Sequence, residues 1–202
     1  MKSQNLLEKK ATQVRQPEIV QAALGVIGRL GVSGLTIHEA AVAAGMCEAN
    51  IYRHFKNKQD LIRAVVEHIG GEVTSRAALL AASSGPPLEK LEKIIMAHTA
   101  MIAKNPGIPR LLFSDGGMVT GGKIAQIMTS RIEGFLATLT GLIEAAKSEG
   151  ALRDGISARE TATTILGLIQ FSVLRWIGNQ AEGKLLDDVA ALWLNLRKLL
   201  VK

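Results

Sequence analysis

Residues 35–61 constrain the fold of this chain more than any other stretch. They read LTIHEAAVAAGMCEANIYRHFKNKQDL, two short segments of helical periodicity joined at Ala44-Gly45. Thr36, with Glu39 three residues later, has the spacing of a capping box that opens a helix, and a glycine permits the tight turn that ends one. Because hydroxyl, amide and basic side chains crowd the second segment, the stretch predicts a helix-turn-helix, whose second helix enters the major groove of DNA.

Apolar residues recur at helical spacing along the rest of the chain too. Their spacing predicts one helix from Pro17 to Gly31 and a long one from Lys58, capped by Asn57, to about Ala82. Five more helices are predicted over residues 88–104, 108–114, 123–148, 157–177 and 185–201. Since the alternation of period two that marks strands is absent, the expected fold class is all-α.

The chain is expected to have three parts. Residues 1–15 are polar, lack an apolar period and are predicted to form a flexible N-terminal arm. Residues 16–61 form the predicted helix-turn-helix domain, and residues 62–202 form a larger helical body. Within that body, the glycine-rich segment 115–122 is predicted to be a loop.

The bulk composition limits the class of protein. A net charge of +6 and a pI of about 9.6 favour an anionic partner. No apolar run approaches the roughly 18 residues of a membrane span, and no secretory signal is evident, so we expect a cytoplasmic protein with no membrane partner. Cys47 is the single cysteine, and the histidines lack the spacing of metal ligands. Without a nucleophile–base pattern or a phosphate-binding loop, we predict no enzyme, no metal and no cofactor.

Several short motifs near the N-terminus resemble the TetR family of bacterial transcriptional regulators. The matching positions, which span roughly residues 17–69, are Gly31, Gly34, Thr36-Ile37, Ala40-Ala41, Ala44-Gly45, Ile51-Tyr52-Arg53-His54-Phe55 and Lys58-Gln59-Asp60-Leu61. The aromatic-x-x-Phe pattern, followed by lysine, an acid and leucine, is the most specific of them. The resemblance implies an N-terminal three-helix helix-turn-helix DNA-binding domain and a C-terminal helical domain for ligand binding and dimerisation.

Four residues match positions that usually bond phosphate oxygens in this family. They are Thr36, Tyr52, His54 and Lys58. Such contacts set the register of a protein on the duplex and carry no sequence information. Two alternatives remain open, since Tyr52 could be a half-buried packing residue and His54 an ordinary surface residue, as His38 is expected to be.

The front of the second helix of the motif matches the part of the family's recognition helix that reaches base edges. It carries Cys47, Glu48, Ala49, Asn50 and Arg53. Asn can pair with adenine and Arg with guanine, each contact contributing about 1–3 kcal/mol of discrimination. Glu48 either accepts from a cytosine amino group or rejects other sequences. Cys47 stands where the family more often has a Ser or Thr cap, so weaker capping is expected, and its thiol is either a redox switch or a tolerated small residue.

The C-terminal body is implied by the resemblance to dimerise and to bind an effector. Helices 157–177 and 185–201 would pair with those of a second copy, because their apolar stripes exceed what one internal contact needs; a monomeric core is the alternative. The stripes contain Ile165, Ile169, Val173 and Ile177, and Leu185, Val189, Leu192, Leu196, Leu199 and Leu200. Candidate ligand contacts are the walls Met96, His98, Met101, Phe113, Met128, Phe135 and Phe171, with Arg131 and Gln170 as polar anchors. A methionine or phenylalanine at helical spacing is more often plain core than a ligand contact.

Two functions are therefore open. The leading one is a homodimeric repressor that binds a pseudo-palindromic DNA operator and is released by a small, apolar or amphipathic effector. The alternative is a DNA-bound helical factor that recruits another protein without a small-molecule ligand. It is kept because residues 105–112 are similar to stretches in several branches of the family, one of which acts in nucleoid occlusion. A thermal shift with a ligand would favour the first.

Overall fold

The computed structural model describes residues 2–113, 122–179 and 181–202, and for residues 2–14 it describes the backbone alone. Its regular elements are all helices. They are α1 (Lys2–Gly34), α2 (Ile37–Ala43), α3 (Glu48–Tyr52), α4 (Lys58–Ala81), α5 (Pro87–Lys104), α6 (Gly107–Leu112), α7 (Gly122–Ser148), α8 (Ala158–Gly178) and α9 (Leu185–Leu200). The one β-type pairing among the described residues is an isolated bridge between Leu152 and Val201. The all-α prediction is confirmed. Among the described helices, none combines the length and the mean hydropathy of a membrane-spanning segment.

The first helix differs from its prediction in where it begins. The helix begins at Lys2, so Pro17 lies inside it instead of at its first turn. Residues 6–11 are mostly good helix formers, and this propensity is a signal separate from the apolar period on which the prediction depended. At Gly31 the backbone leaves helical geometry, with φ 75° and ψ 175°, which is the break that the glycine predicted. That residues 1–15 form a flexible arm stays a prediction.

The described residues divide into two compact units. We call residues 1–70 with 105–128 the N-terminal unit, and residues 71–104 with 129–202 the C-terminal unit. The two units are defined by which residues pack together, and α6 packs with the N-terminal unit. The domain boundaries expected from the sequence, at residues 15/16 and 61/62, remain predictions. The predicted loop at 115–122 lies outside the described residues, except for Gly122, the first residue of α7.

The N-terminal unit is built around one continuous apolar core. Its fully buried side chains include Ile19, Ile27, Leu35, Ile51 and Leu61. The helix α6 lies against α1, where Gln21 Nε2 donates to Asn105 Oδ1 at 3.3 Å and Arg110 Nη1 donates to the Arg29 carbonyl at 3.1 Å. At Gly107 the two backbones approach so closely that a Cβ would clash with the Leu24 carbonyl oxygen.

The C-terminal unit buries the predicted apolar stripes of α8 and α9 largely within itself. Ile165, Ile169 and Val173 of α8 are buried, as are Leu185, Val189 and Leu200 of α9. The helix α8 begins at the cap Ser157, whose hydroxyl accepts from the Glu160 amide. Across the unit, Arg197 Nη1 pairs with Glu92 Oε2 at 3.1 Å. Six of the ten stripe residues are thus internal core, whereas Leu192 and Leu199 of the same stripe are exposed.

Candidate DNA-binding surface and ligand cavity

The turn between α2 and α3 is formed by local hydrogen bonds. Thr36 caps α2, accepting from the Glu39 amide at 3.0 Å, as the capping-box spacing predicted. At the other end the Met46 amide donates to the Ala41 carbonyl at 2.9 Å, while Gly45 adopts φ 63°. Glycine is favoured there because a left-handed backbone costs other residues conformational energy. The turn therefore fixes where α3 begins.

Two buried residues hold α3 against the N-terminal unit. Ile51 is fully buried and Phe55, just after the helix, is 5% exposed. Both the His54 and the Phe55 amides donate to the Ile51 carbonyl at 2.9 Å, which closes the end of the helix. Because the inner side is anchored, the residues on the opposite side of α3 face outward.

Most of the predicted DNA-contacting side chains are exposed on that outward side. Cys47, Glu48, Ala49 and Arg53 are exposed, and Asn50 is half-buried. Arg53 Nη1 donates to Asn50 Oδ1 at 3.3 Å, so the two predicted base readers are paired with each other. Cys47 has the extended backbone of a cap, yet its side chain makes no capping hydrogen bond in the described structure, in line with the weaker capping expected of a thiol.

The predicted phosphate contacts surround this face. Tyr52 is 54% exposed, so that part of the side chain is covered and part is accessible to a duplex. Lys58, in the first turn of α4, donates through Nζ to the Ser33 carbonyl at 3.0 Å. Thr36 is exposed, and its hydroxyl already accepts the capping bond. A phosphate oxygen could still accept from that hydroxyl, because its proton is not used in the cap.

His54 has a more restricted position than the sequence suggested. Its Nδ1 is buried without a hydrogen-bond partner among the described residues, so a phosphate would have to be met through Nε2. Burial lowers the pKa of His54, and the nearby charges of Arg15 and Arg53 lower it further. The ring lines a groove with Gln16, Arg63 and other residues of α1 and α4.

The start of α4 is fixed by a reciprocal cap. The Asp60 amide donates to Asn57 Oδ1 at 2.9 Å, and the Lys56 amide donates to Asp60 Oδ2 at 3.3 Å. Arg63 Nη2 bonds Asp60 Oδ1 at 3.0 Å, and this hydrogen bond is the largest cause of the lowered pKa of Asp60. Asn57 is therefore the cap that the sequence predicted.

Three of the predicted ligand contacts meet at one small cavity in the C-terminal unit. His98 and Met101 of α5 and Phe135 of α7 line it, with apolar residues of α4 and α5 and the exposed Arg76. The cavity holds about 10 Å³, room for one water molecule. The His98 and Phe135 rings lie 4.8 Å apart, centroid to centroid. The full lining is Val73, Arg76, Ala77, Leu80, Ile94, Ala97, His98, Met101 and Phe135.

His98 is partly exposed as a residue and places a ring nitrogen at this cavity. Its Nδ1 is buried and has no hydrogen-bond partner within the part of the chain described. Desolvation lowers its pKa to about 4, so the imidazole is neutral at pH 7. A neutral imidazole nitrogen with no partner can form a hydrogen bond with an uncharged carbonyl or hydroxyl group.

The other ligand candidates do not line this cavity. Phe171 and Phe113 are 62% and 47% exposed, respectively, and Arg131 is exposed too. Met128 is buried, while Met96 and Gln170 are partly exposed. Within the described ranges, no three His, Cys, Asp or Glu side chains gather as metal ligands would.

Family models match both parts of this architecture. Residues 19–65 match the model described as bacterial regulatory proteins, tetR family. Residues 84–193, more than half of the chain, match the model of the tetracyclin repressor-like C-terminal domain. The chain belongs to the TetR family. As a TetR-family protein it is a transcriptional regulator and not an enzyme, which confirms the predicted class.

This TetR-family chain is similar to curated relatives of at least two functions. The fatty acid metabolism regulator protein of Bacillus subtilis is 25% identical over 195 residues, covering 95% of this chain and 96% of the relative. The nucleoid occlusion factor SlmA of Escherichia coli is 27% identical over 190 residues, covering 91% and 93%. Identity alone therefore does not separate the two functions.

Solved structures show the same fold. The fatty acid degradation regulator FadR from Bacillus halodurans superposes with a TM-score of 0.80 at 20% identity, covering 91% of this chain and 94% of that one. FadR from Bacillus subtilis, in complex with stearoyl-CoA, gives 0.78 at 22% identity, covering 90% and 97%. SmeT, the repressor of a Stenotrophomonas maltophilia multidrug efflux pump, gives 0.74 at 18%, covering 95% and 92%.

Two features of this TetR-family protein escaped the sequence. His38 of α2, expected to be an ordinary surface residue, bonds the first residue of α3, with Nδ1 2.9 Å from Glu48 Oε1. Arg76, which was not among the predicted ligand contacts, lines the cavity. The spacing of ten residues between His38 and Glu48 gives no signal, because the contact depends on the angle between two helices.

Proposed function

We propose that this chain is a homodimeric repressor that binds a pseudo-palindromic operator and is released by an amphipathic fatty acyl effector. The observation that carries it is the outward face of α3, which presents Asn50, Tyr52 and Arg53 over the buried anchor Ile51. A rigidly backed polar helix end of this kind suits reading in the major groove. The family membership supports the same role.

Reading of the operator would begin from the Asn50–Arg53 pair. In the unbound chain the 3.3 Å hydrogen bond holds the two side chains together. Base edges would replace that bond, with the amide pairing to adenine and the guanidinium to guanine. Tyr52 and Lys58 would meet phosphates on either side and fix the register. The energetic loss is small because the broken bond is exposed.

Dimerisation would use apolar side chains that one chain leaves exposed. On α8 these are Phe171, 62% exposed, and Leu174, 49% exposed. On α9 they are Leu192, 39%, and Leu199, 67%. The residues of each pair lie three or seven positions apart and so share a helix face. A second copy would cover both faces through a two-fold symmetric interface.

The effector would enter the cavity around His98. Apolar walls, a flexible methionine at 101 and a neutral imidazole suit an acyl chain with an uncharged carbonyl. At about 10 Å³ the cavity must widen many-fold to admit one, which would require the lining helices to move apart as well as Met101 to change rotamer. The relatives that regulate fatty acid metabolism support this ligand class. The other predicted contacts, such as Phe113 and Gln170, would not take part at this cavity.

Movement of α4 would release the protein from DNA. Val73, Ala77 and Leu80 of that helix line the cavity, and its first residue is Lys58. An effector that moves this helix would displace the start of α4 and change the spacing of the two recognition helices. Thermodynamic linkage then requires the two effects to be equal: DNA must weaken effector binding by the same factor as the effector weakens DNA binding. That factor is typically about 5–150-fold.

The DNA-binding role is tested with duplexes selected from a random pool by the wild-type protein. Tyr52→Phe with Lys58→Gln should weaken binding of every selected duplex and make the slope of log affinity against log salt less negative, because phosphate contacts release counterions. The matched control is Lys184→Gln, on the exposed end of α9 in the other unit. If the double variant retains full affinity while folded, the proposed interface is wrong.

The effector is tested with stearoyl-CoA as the probe. Titration should lower duplex affinity of the wild type, and the effect should be weaker in His98→Phe, which lacks the hydrogen-bonding nitrogen. Duplex affinity without the probe should be equal in both proteins. Absence of any thermal shift or any effect on DNA binding would favour the alternative, a DNA-bound recruiting factor, which the SlmA relatives support.

A further inference from the structure

An exposed hydrogen bond joins the two helices of the motif outside their shared core. The His38 ring on α2 and the Glu48 carboxylate at the start of α3 are 2.9 Å apart, from Nδ1 to Oε1. Their side chains are 66% and 48% exposed. An ionised carboxylate only accepts, so the ring must donate from Nδ1, either as the neutral tautomer or as the cation.

This pair contributes little to holding the fold. Exposed ion pairs typically contribute little to stability, because solvent screens the two charges and both partners here are exposed. The anchoring of α3 comes from Ile51 and Phe55, which are buried. The effect of the hydrogen bond is thus on the direction of the Glu48 carboxylate, because one of its two oxygens is held at a fixed place on α2.

A fixed carboxylate at this position has consequences for base choice. Glu48 is the first residue of the recognition helix and would face a polyanion. In the major groove a carboxylate can accept from the cytosine amino group, whereas guanine presents two acceptors, O6 and N7, that repel it. Rotation into solvent would spare Glu48 this repulsion. By holding Oε1, His38 opposes that rotation and leaves Oε2 available for a base.

We propose that His38 is a positioning residue that holds Glu48 against the duplex, so that the pair selects a cytosine at one position of each half-site. The inference rests on the proposed DNA-binding function. This positioning role differs from a direct phosphate contact by His38, because a phosphate contact would strengthen binding to all sequences alike. The two roles predict different patterns across a set of related duplexes.

The experiment measures affinities for one selected duplex and for its single-base variants in the half-site. His38→Ala should leave affinity for variants at other positions unchanged and reduce the penalty at one position by up to about 5-fold, the most that an exposed pair typically contributes. Glu48→Ala should reduce the same penalty, and adding His38→Ala to it should change nothing more. His38→Gln, whose amide can still donate to Glu48, should restore part of the preference.

Two controls separate the possible failures. Val42→Ala removes another exposed side chain of α2, 64% exposed, and should leave the preference intact. If His38→Ala weakens all duplexes equally and makes the salt dependence shallower, His38 contacts phosphate and the inference is wrong. An unchanged base preference in His38→Ala also overturns it. If the wild type selects no duplex at all, the proposed function fails instead.

Discussion

Replacing Gly107 with alanine should destabilise the contact between α6 and α1. A Cβ at this position would clash with the Leu24 carbonyl oxygen and lie 2.8 Å from Leu24 Cδ1 and 3.2 Å from the Gly28 nitrogen. Two of these three neighbours are backbone atoms and cannot turn aside as a side chain could. The substitution must therefore displace α6 or bend α1.

The size of the effect follows from comparing three glycines in one unit. Forced overpacking costs about 1–3 kcal/mol, and Gly107 should lie at the upper end because its neighbours are rigid. Gly28→Ala brings a Cβ to 3.1 Å from the Gly107 nitrogen and should cost less. Gly25→Ala, with no described atom within 4 Å of its Cβ, should stabilise α1 by about 0.5–1 kcal/mol.

Amide hydrogen exchange is the suitable assay, because it reports the opening of α1 and α6 separately from the C-terminal unit. Opening free energies should decrease in the order Gly25→Ala, wild type, Gly28→Ala, Gly107→Ala. Gly25→Ala is the matched control for adding a methyl group to the same unit. If Gly107→Ala protects these amides as well as the wild type does, the close approach described at this crossing is wrong.

Three further predictions concern other residues. The His98 pKa of about 4 lies below its unfolded value of about 6.5, so the unfolded chain takes up the proton first. Stability on the order of 3 kcal/mol should be lost as pH falls from 6.5 to 4, and urea unfolding of His98→Phe should lack this component. Phe171→Arg with Leu199→Arg should give the monomer mass in light scattering, whereas the control Leu79→Arg, at a position 74% exposed on α4, should stay dimeric. Cys47→Ser should stabilise the folded chain by about 0.5–1 kcal/mol through better capping of α3, and so raise the thermal midpoint. A thermal melt with an unchanged midpoint would mean that the weak cap at Cys47 does not limit stability.

The sequence predicted local features well because their causes are local. Thr36 and Asn57 were expected to cap α2 and α4, and each accepts from the amide three residues on. The burial of Ile51 follows from its place on the helical period. In each case the hydrogen bond or the face is decided by a few neighbouring residues, so that a short segment contains the whole signal.

Contacts between distant helices could not be predicted in this way. Gln21 and Asn105 are 84 residues apart, and their hydrogen bond exists because α6 crosses α1 at a glycine. The His38–Glu48 bond depends likewise on how α2 and α3 are inclined. Neither residue type nor spacing contains that angle, since it is set by the packing of the core beneath.

The apolar stripes show a limit of a different kind. Ile169 and Phe171 are both apolar and lie two positions apart on α8, yet one is fully buried and the other is 62% exposed. Helical periodicity places them on different faces but cannot tell a face that covers the chain's own core from one that would cover a second copy. In the single chain, only the exposed set can supply a dimer interface. The test of dimerisation must therefore change Phe171 and Leu199, because a charge at Ile169 would disrupt the C-terminal unit itself, whether or not a partner binds.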